Sequence, residues 1–167
     1  MLSTAPRSYA LLIHDVLLIS IMGVLAACGL IYEYLLSHYA GRIIGAVETA
    51  IYTMIGLMIV SMGLGAFAAK LIKDPFTGFA WLESLIAICG VSCILLIATF
   101  VGFSAVLPQV IAQTFALPPD LVPSGGVLDL LHEIATLSPY FFGVLIGFLI
   151  GMEIPLIARV RERVYGE

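Results

Sequence analysis

The chain has 167 residues, of which 62% are apolar and 11% charged, with a formal net charge of −4. Soluble domains carry about 25% charged residues, so this balance and a mean hydropathy of +1.15 exclude an ordinary soluble fold. The seven basic residues form no stripe for nucleic acid.

Four apolar stretches, roughly 10–36, 46–69, 79–101 and 134–157, make up most of the chain. A hydrocarbon core about 30 Å thick is crossed by roughly 20 apolar residues in a helix. Backbone polar groups in lipid must pair within their own segment, so each stretch predicts an α-helix. The expected fold is all-α: one domain over 1–167, a polytopic membrane protein with four transmembrane helices in the lipid bilayer.

The first stretch is too long for a signal-peptide core and no clean cleavage site follows it, so it reads as a retained helix. It carries Ala26, Gly29 and Glu33 on one face. The second opens with Glu48 and shows Thr49, Thr53, Gly56, Val60 and Gly63 at alternating steps of four and three, a narrow face expected to be a packing seam. The third holds Cys89 and Cys93 one turn apart. With Cys28 they lie in apolar segments, as small helix-contact residues and not as a disulfide framework. An outer loop is expected over 102–133, containing Pro108, Pro118, Pro119, Pro123, Gly125 and Gly126. A short surface helix over 110–117 would be ended by Pro118 and Pro119. The fourth stretch carries Gly143, Gly147 and Gly151, a stripe that lets another helix approach closely. It is the expected contact face for further membrane helices or subunits, with a hinge as the alternative.

Six of the seven basic residues, Arg7, Lys70, Lys73, Arg159, Arg161 and Arg163, fall on one side of this arrangement, and only Arg42 on the other. The positive-inside rule then places both termini and the loop 71–78 in the cytoplasm.

Intramembrane carboxylates are costly and mark a polar path or a partner. Glu33, near one end of helix one, and Glu153, near the cytoplasmic end of helix four, are the main candidates, with Glu48 as a third. For Glu33 and Glu153 a structural hydrogen-bonding role stands equally open. Glu48, Glu83 and Glu133 lie within a turn or two of an interface, where water lowers the cost. The pairs His14–Asp15 and His132–Glu133 would enter the bilayer from opposite sides, so they cannot share an ion, and no metal site or cofactor is expected. The chain contains no P-loop and no H-E-x-x-H, nor a G-x-S-x-G elbow. The glycines near 125 lack the strand that a nucleotide loop requires. No catalytic residue is assigned, and whether the chain takes part in an enzyme is left open.

Residues 62–70 and 151–159 both run from small residues through an apolar turn to a base. This is a weak internal echo of two helices running the same way, and parallel repeats occur in transporters. Three segments together carry a family resemblance: Leu-Ile-Tyr-Glu within 27–36, Met-Gly-Leu-Gly at 62–65, and Gly-Met-Glu-Ile-Pro-Leu within 147–156. In order and spacing they resemble the N-terminal membrane region of spermidine-synthase-like membrane proteins, relatives of polyamine aminopropyltransferases. The resemblance implies a multi-helix membrane domain of the bacterial inner membrane. In such proteins a separate Rossmann-like domain binds decarboxylated S-adenosylmethionine and putrescine. The motifs of that catalytic domain do not occur in these 167 residues, so the expectation is a piece of a larger protein or a short relative. The expected role is the membrane part of such a protein, anchoring it and giving polyamines a path past Glu33, Glu153 and Glu48. The alternatives are half of a small-molecule transporter, or a structural subunit of a larger membrane complex.

Overall fold

The computed structural model describes residues 5–116, 118 and 126–165. Its helices are α1 (Ala5–Ile44), α2 (Val47–Ala68), α3 (Pro75–Thr114) and α4 (Val127–Tyr165), with a 3-10 turn over Ala69–Leu71. Among the described residues there is no strand. All four helices are long and apolar enough to cross a membrane.

Three of the helices are longer than the sequence predicts. The spans α1 and α3 have 40 residues each, about 60 Å at 1.5 Å per residue. Helix α3 does not stop near 101. Residues 102–114 stay apolar, and Pro108 withdraws only one backbone donor, so the helix runs through it. The expected surface helix over 110–117 is instead the last turns of α3. Helix α3 ends before Pro118 is reached, and the chain leaves the helical path at Ala116, whose φ is +48°. Helix α4 starts at Val127 and not near 134, which puts His132 and Glu133 inside it. The expected loop shrinks accordingly. Leu117, Pro119, Asp120, Pro123 and Gly125 of that loop lie outside the described residues.

Helix α1 turns into α2 through Gly45, at φ +76°, a left-handed conformation that glycine adopts without strain. Just before it, a β-carbon on Gly41 would lie 3.1 Å from the Val47 Cα, so glycine lets the two helices close tightly. This hairpin marks one end of the bundle; Lys70, Lys73, Arg159 and Arg163 mark the other, basic end.

Helix α4 is the central element and packs on each of the other three. Against α2 it runs parallel and in register. Gly143 faces Met54, Gly147 faces Met58 and Ser61, and Gly151 faces Met62. The same offset of 89 residues joins Asp74 to Arg163 at the basic end. A β-carbon on Gly151 would run into the Met62 carbonyl oxygen, and one on Gly65 into the Phe148 carbonyl oxygen. The glycine stripe of α4 is therefore consumed inside the bundle, against α2, and is not an outward contact face. The expected seam on α2 is also displaced. Thr49, Thr53, Gly56, Val60 and Gly63 are exposed, and the residues that pack are Ala50, Met54, Met58, Ser61 and Gly65. Small residues on both faces made the wrong stripe equally plausible; contact with α4 selects the other. The buried Ser61 hydroxyl donates to its own helix at the Met58 carbonyl, 2.9 Å away, so its burial leaves no unpaired donor.

At the basic end, two arginines of α4 hold the α2–α3 connection. The Arg159 guanidinium donates to the carbonyls of Ala69 (3.1 Å), Ile72 (2.7 Å) and Lys73 (3.3 Å). The Ala69 carbonyl also accepts the Ile72 N–H at 3.2 Å, and the other two carbonyls lie past the 3-10 turn that ends α2. Arg163 donates to Asp74 at 3.0 Å. Asp74 is the N-cap of α3, accepting from the Thr77 backbone N–H and hydroxyl, with Pro75 in the first turn. The Thr77 hydroxyl holds the Asp74 carboxyl below the usual aspartate range, desolvation opposes this, and the Thr77 N–H and the Arg163 charge add to the lowering.

Two outcomes test this packing. Gly151→Ala should lower stability by about 1–3 kcal/mol, as overpacking does, because the carbonyl it meets is backbone and cannot turn aside. Gly63→Ala, with nothing within 4 Å, should be neutral or stabilising. Thermal melts in detergent compare the two. For the clamp, a lowered folded-state pKa means that Asp74 stabilises above the unfolded aspartate value and loses this as pH falls through the folded value. Melts taken from neutral pH to below about pH 4 should show a steeper acid loss for wild type than for Asp74→Asn.

Candidate functional site

Helix α1 packs most closely near the hairpin, and at the basic end its Asp15 pairs with Arg161 of α4 at 3.4 Å. Leu36, Ser37, Ala40 and Gly41 are buried, and the side chain of Tyr32 lies on Gly90 of α3, where a β-carbon would collide with it. Between these two points α1 stands off from α2 and α4 over residues 22–26. The space left is a cavity of about 320 Å³.

Its walls are apolar. Met22, Leu25 and Ala26 come from α1, Met58 and Met62 from α2, and Ile150, Ile154 and Ile157 from α4. Two charged-type side chains also line it, Glu33 from α1 and Glu153 from α4. Gly29 of α1 lies against Ile150 of α4. From this contact Glu33 is one turn toward the hairpin and Glu153 one turn toward the basic end. The two acids are therefore about 10 Å apart along the bundle axis, at 1.5 Å rise per residue. A second cavity of about 230 Å³ continues toward the hairpin, lined by Glu33, Tyr34, Ser37, His38, Ile51 and Ile55. Glu33 thus stands between two cavities and is half-buried. Glu153 is 6% exposed.

The neighbour of Glu153 is a third acid. Glu83 of α3 is close enough to Glu153 for the two side chains to interact electrostatically. The Glu83 Oε1 atom is buried without a hydrogen-bond partner. In sequence Glu83 reads as an interfacial acid. Its place in a stripe with Ile86, Gly90, Cys93 and Ile97, stepping by three and four, is the signal that puts it on the α4 side. Glu48 does not join this group. It is exposed in the first turn of α2, where a negative charge suits the helix N-terminus, and it lines neither cavity. His38 stacks on Tyr34 with ring centroids 6.0 Å apart. Among the described residues no three His, Cys, Asp or Glu side chains come together to hold a metal ion.

An apolar trough with one carboxyl at its hairpin end, Glu33, and another about 10 Å further along, Glu153, matches a ligand with cationic groups separated by an apolar chain. The walls take methylene groups, and the acids take ammonium groups.

No family model and no solved structure matches the chain. Curated proteins do. The chain is 64% identical over 153 residues to the polyamine aminopropyltransferase of Shewanella oneidensis, covering 92% of this chain and 27% of that protein. It is 33% identical over 142 residues to polyamine aminopropyltransferase 2 of Streptomyces coelicolor, covering 84% of this chain and 22% of that protein. A polyamine aminopropyltransferase of Leptospira interrogans is 27% identical over 141 residues. The chain spans about a quarter of the length of these relatives. It therefore matches a partial region of the polyamine aminopropyltransferase family.

Proposed function

We propose that these 167 residues form the membrane-spanning domain of a polyamine aminopropyltransferase-type protein, which anchors it and gives polyamines a binding trough inside the membrane. The observation that carries this reading is the cavity between α1, α2 and α4, with Glu33 and Glu153 as its two acids. The names of the relatives supply the ligand class, and the cavity supplies a place that suits it. Polyamines carry several positive charges on a methylene chain, so they need both the apolar walls and the separated carboxylates.

On this reading the four helices cross the inner membrane of a bacterium. The basic end, with Lys70, Lys73, Arg159 and Arg163, faces the cytoplasm by the positive-inside rule. Arg159 and Arg163 then have two tasks, closing the α2–α3 connection and setting orientation. The exposed small face of α2, with Gly56 and Gly63, is where further membrane helices or subunits would pack. This exposed face is also what a structural-subunit role would use.

Orientation is checked with single cysteines at Lys73 and Val127, in a chain with Cys28, Cys89 and Cys93 replaced by alanine. A membrane-impermeant thiol reagent applied to intact cells should label the site at Val127 and leave the one at Lys73 unlabelled. Labelling at Lys73 alone would reverse the topology. The ligand is checked by calorimetric titration of spermidine in lipid nanodiscs. Glutamine keeps the shape of each acid and removes its charge. A carboxylate facing a dication at intermediate dielectric contributes on the order of a few kcal/mol before desolvation, so Glu33→Gln and Glu153→Gln should each weaken binding by tenfold or more. Spermidine binding that survives both changes would leave these acids as structural groups and the domain as an anchor.

A further inference from the structure

The two acids of the trough stand at a separation that the helix packing sets. Glu33 bounds the cavity at its hairpin end, and Glu153 lies about 10 Å further along, by helical rise from the Gly29–Ile150 contact. Packed backbone holds both positions. Leu36 and Ser37, one turn beyond Glu33, are buried. Glu153 sits in α4 between Gly151, which meets α2 at Met62, and the buried Leu156. Neither acid can move by a helical turn without breaking these contacts.

The wall between them is uncharged. It consists of Gly29 and Leu30 of α1, Met58 and Met62 of α2 and Ile150 of α4. Among the described residues that line the cavity, Glu33 and Glu153 are the only charged ones. The second cavity, past Glu33, adds Tyr34, Ser37 and His38 but no further acid. An ammonium group beside Glu33 or Glu153 is paired. One held midway loses its water with no carboxylate in direct contact, which is costly.

An extended chain advances about 1.2 Å per bond, as three backbone bonds span at most about 3.6 Å. Putrescine, with five bonds between its nitrogens, therefore reaches about 6 Å, and spermidine, with nine between its terminal nitrogens, about 11 Å. Diaminooctane, an alkane chain with an amine at each end, also has nine bonds but no middle nitrogen. We infer that the trough selects its ligand by the span between terminal ammonium groups. It takes amines about nine bonds long, spermidine among them, with one end on Glu33 and the other on Glu153. The middle of the chain lies against uncharged wall. Putrescine is too short and reaches one acid at a time. This inference rests on the polyamine reading of the cavity and adds to it a choice among amines.

The test is calorimetric titration of putrescine, diaminohexane, diaminooctane and spermidine into the full chain in lipid nanodiscs near neutral pH. Each wild-type affinity is divided by that of the same ligand for Glu33→Gln, which cancels what the walls and the lipid contribute. The ratio should be about twofold for putrescine, which loses one of two alternative places, and tenfold or more for diaminooctane and spermidine, which lose one of two simultaneous contacts. Glu153→Gln should give the same profile, so the result does not depend on a single variant. In wild type, diaminooctane should bind at least as tightly as spermidine. A ratio that does not rise with chain length would overturn the span selection while leaving the trough as a polyamine site. Spermidine binding tenfold or more tighter than diaminooctane would also overturn it, because the middle nitrogen would then have a partner. No binding of any of these amines by wild type would overturn the polyamine reading and the span selection together. If neither variant folds, the wild-type order decides: putrescine binding as tightly as diaminooctane contradicts a nine-bond span.

Discussion

At Gly65 and Gly151 no side chain separates the backbones of α2 and α4. Gly65, Gly147 and Gly151 bring each helix against carbonyl groups or short side chains of the other. Between apolar helices in an apolar solvent, close van der Waals packing is the main attraction, and small residues give the most of it. This contact fixes the parallel register of the two helices down to the Arg163–Asp74 pair at the basic end. Helix α3 then fills the far side of α4 with Leu82, Ile86, Cys93 and Ile97.

The cavity follows from that constraint. Because α2 and α4 are drawn together over most of their length, α1 rests on their outer surface, packed near the hairpin, paired through Asp15 with Arg161 at the basic end, and standing off between. The methionines facing the gap, Met58 and Met62, are flexible apolar side chains that adapt to an irregular or occupied space. A trough of this origin is wide enough for a chain of methylene groups and is reached by carboxyls from two different helices.

Much of this was legible in the residues. Apolar runs of more than 20 residues permit little other than long helices, and glycine at 143, 147 and 151 pointed to a close helix contact on α4. What periodicity could not tell was which partner each stripe meets. The glycines of α4 could equally have faced another subunit, and the small face of α2 through Gly56 and Gly63 looked as good a seam as the true one through Ser61 and Gly65. Helix ends were also hidden. Residues 102–114 are apolar enough to prolong α3, and one proline does not stop a helix whose other bonds are intact. Glu33 and Glu153 stood out because acids are rare in apolar runs. Their shared cavity and the approach of Glu83 depend on how α1 and α3 cross α4, which is a tertiary fact that no single helix encodes.

The central claim is that a polyamine lies in the trough between Glu33 and Glu153. Its most direct test is photo-crosslinking of the chain in lipid nanodiscs with a spermidine carrying a diazirine on its methylene chain, followed by peptide mapping. The account predicts adducts on the cavity wall, at Met22, Met58, Met62 and Ile150, that disappear when unlabelled spermidine is in excess. Adducts confined to the bundle ends or the exposed face of α2, or adducts that unlabelled spermidine does not compete away, would contradict it.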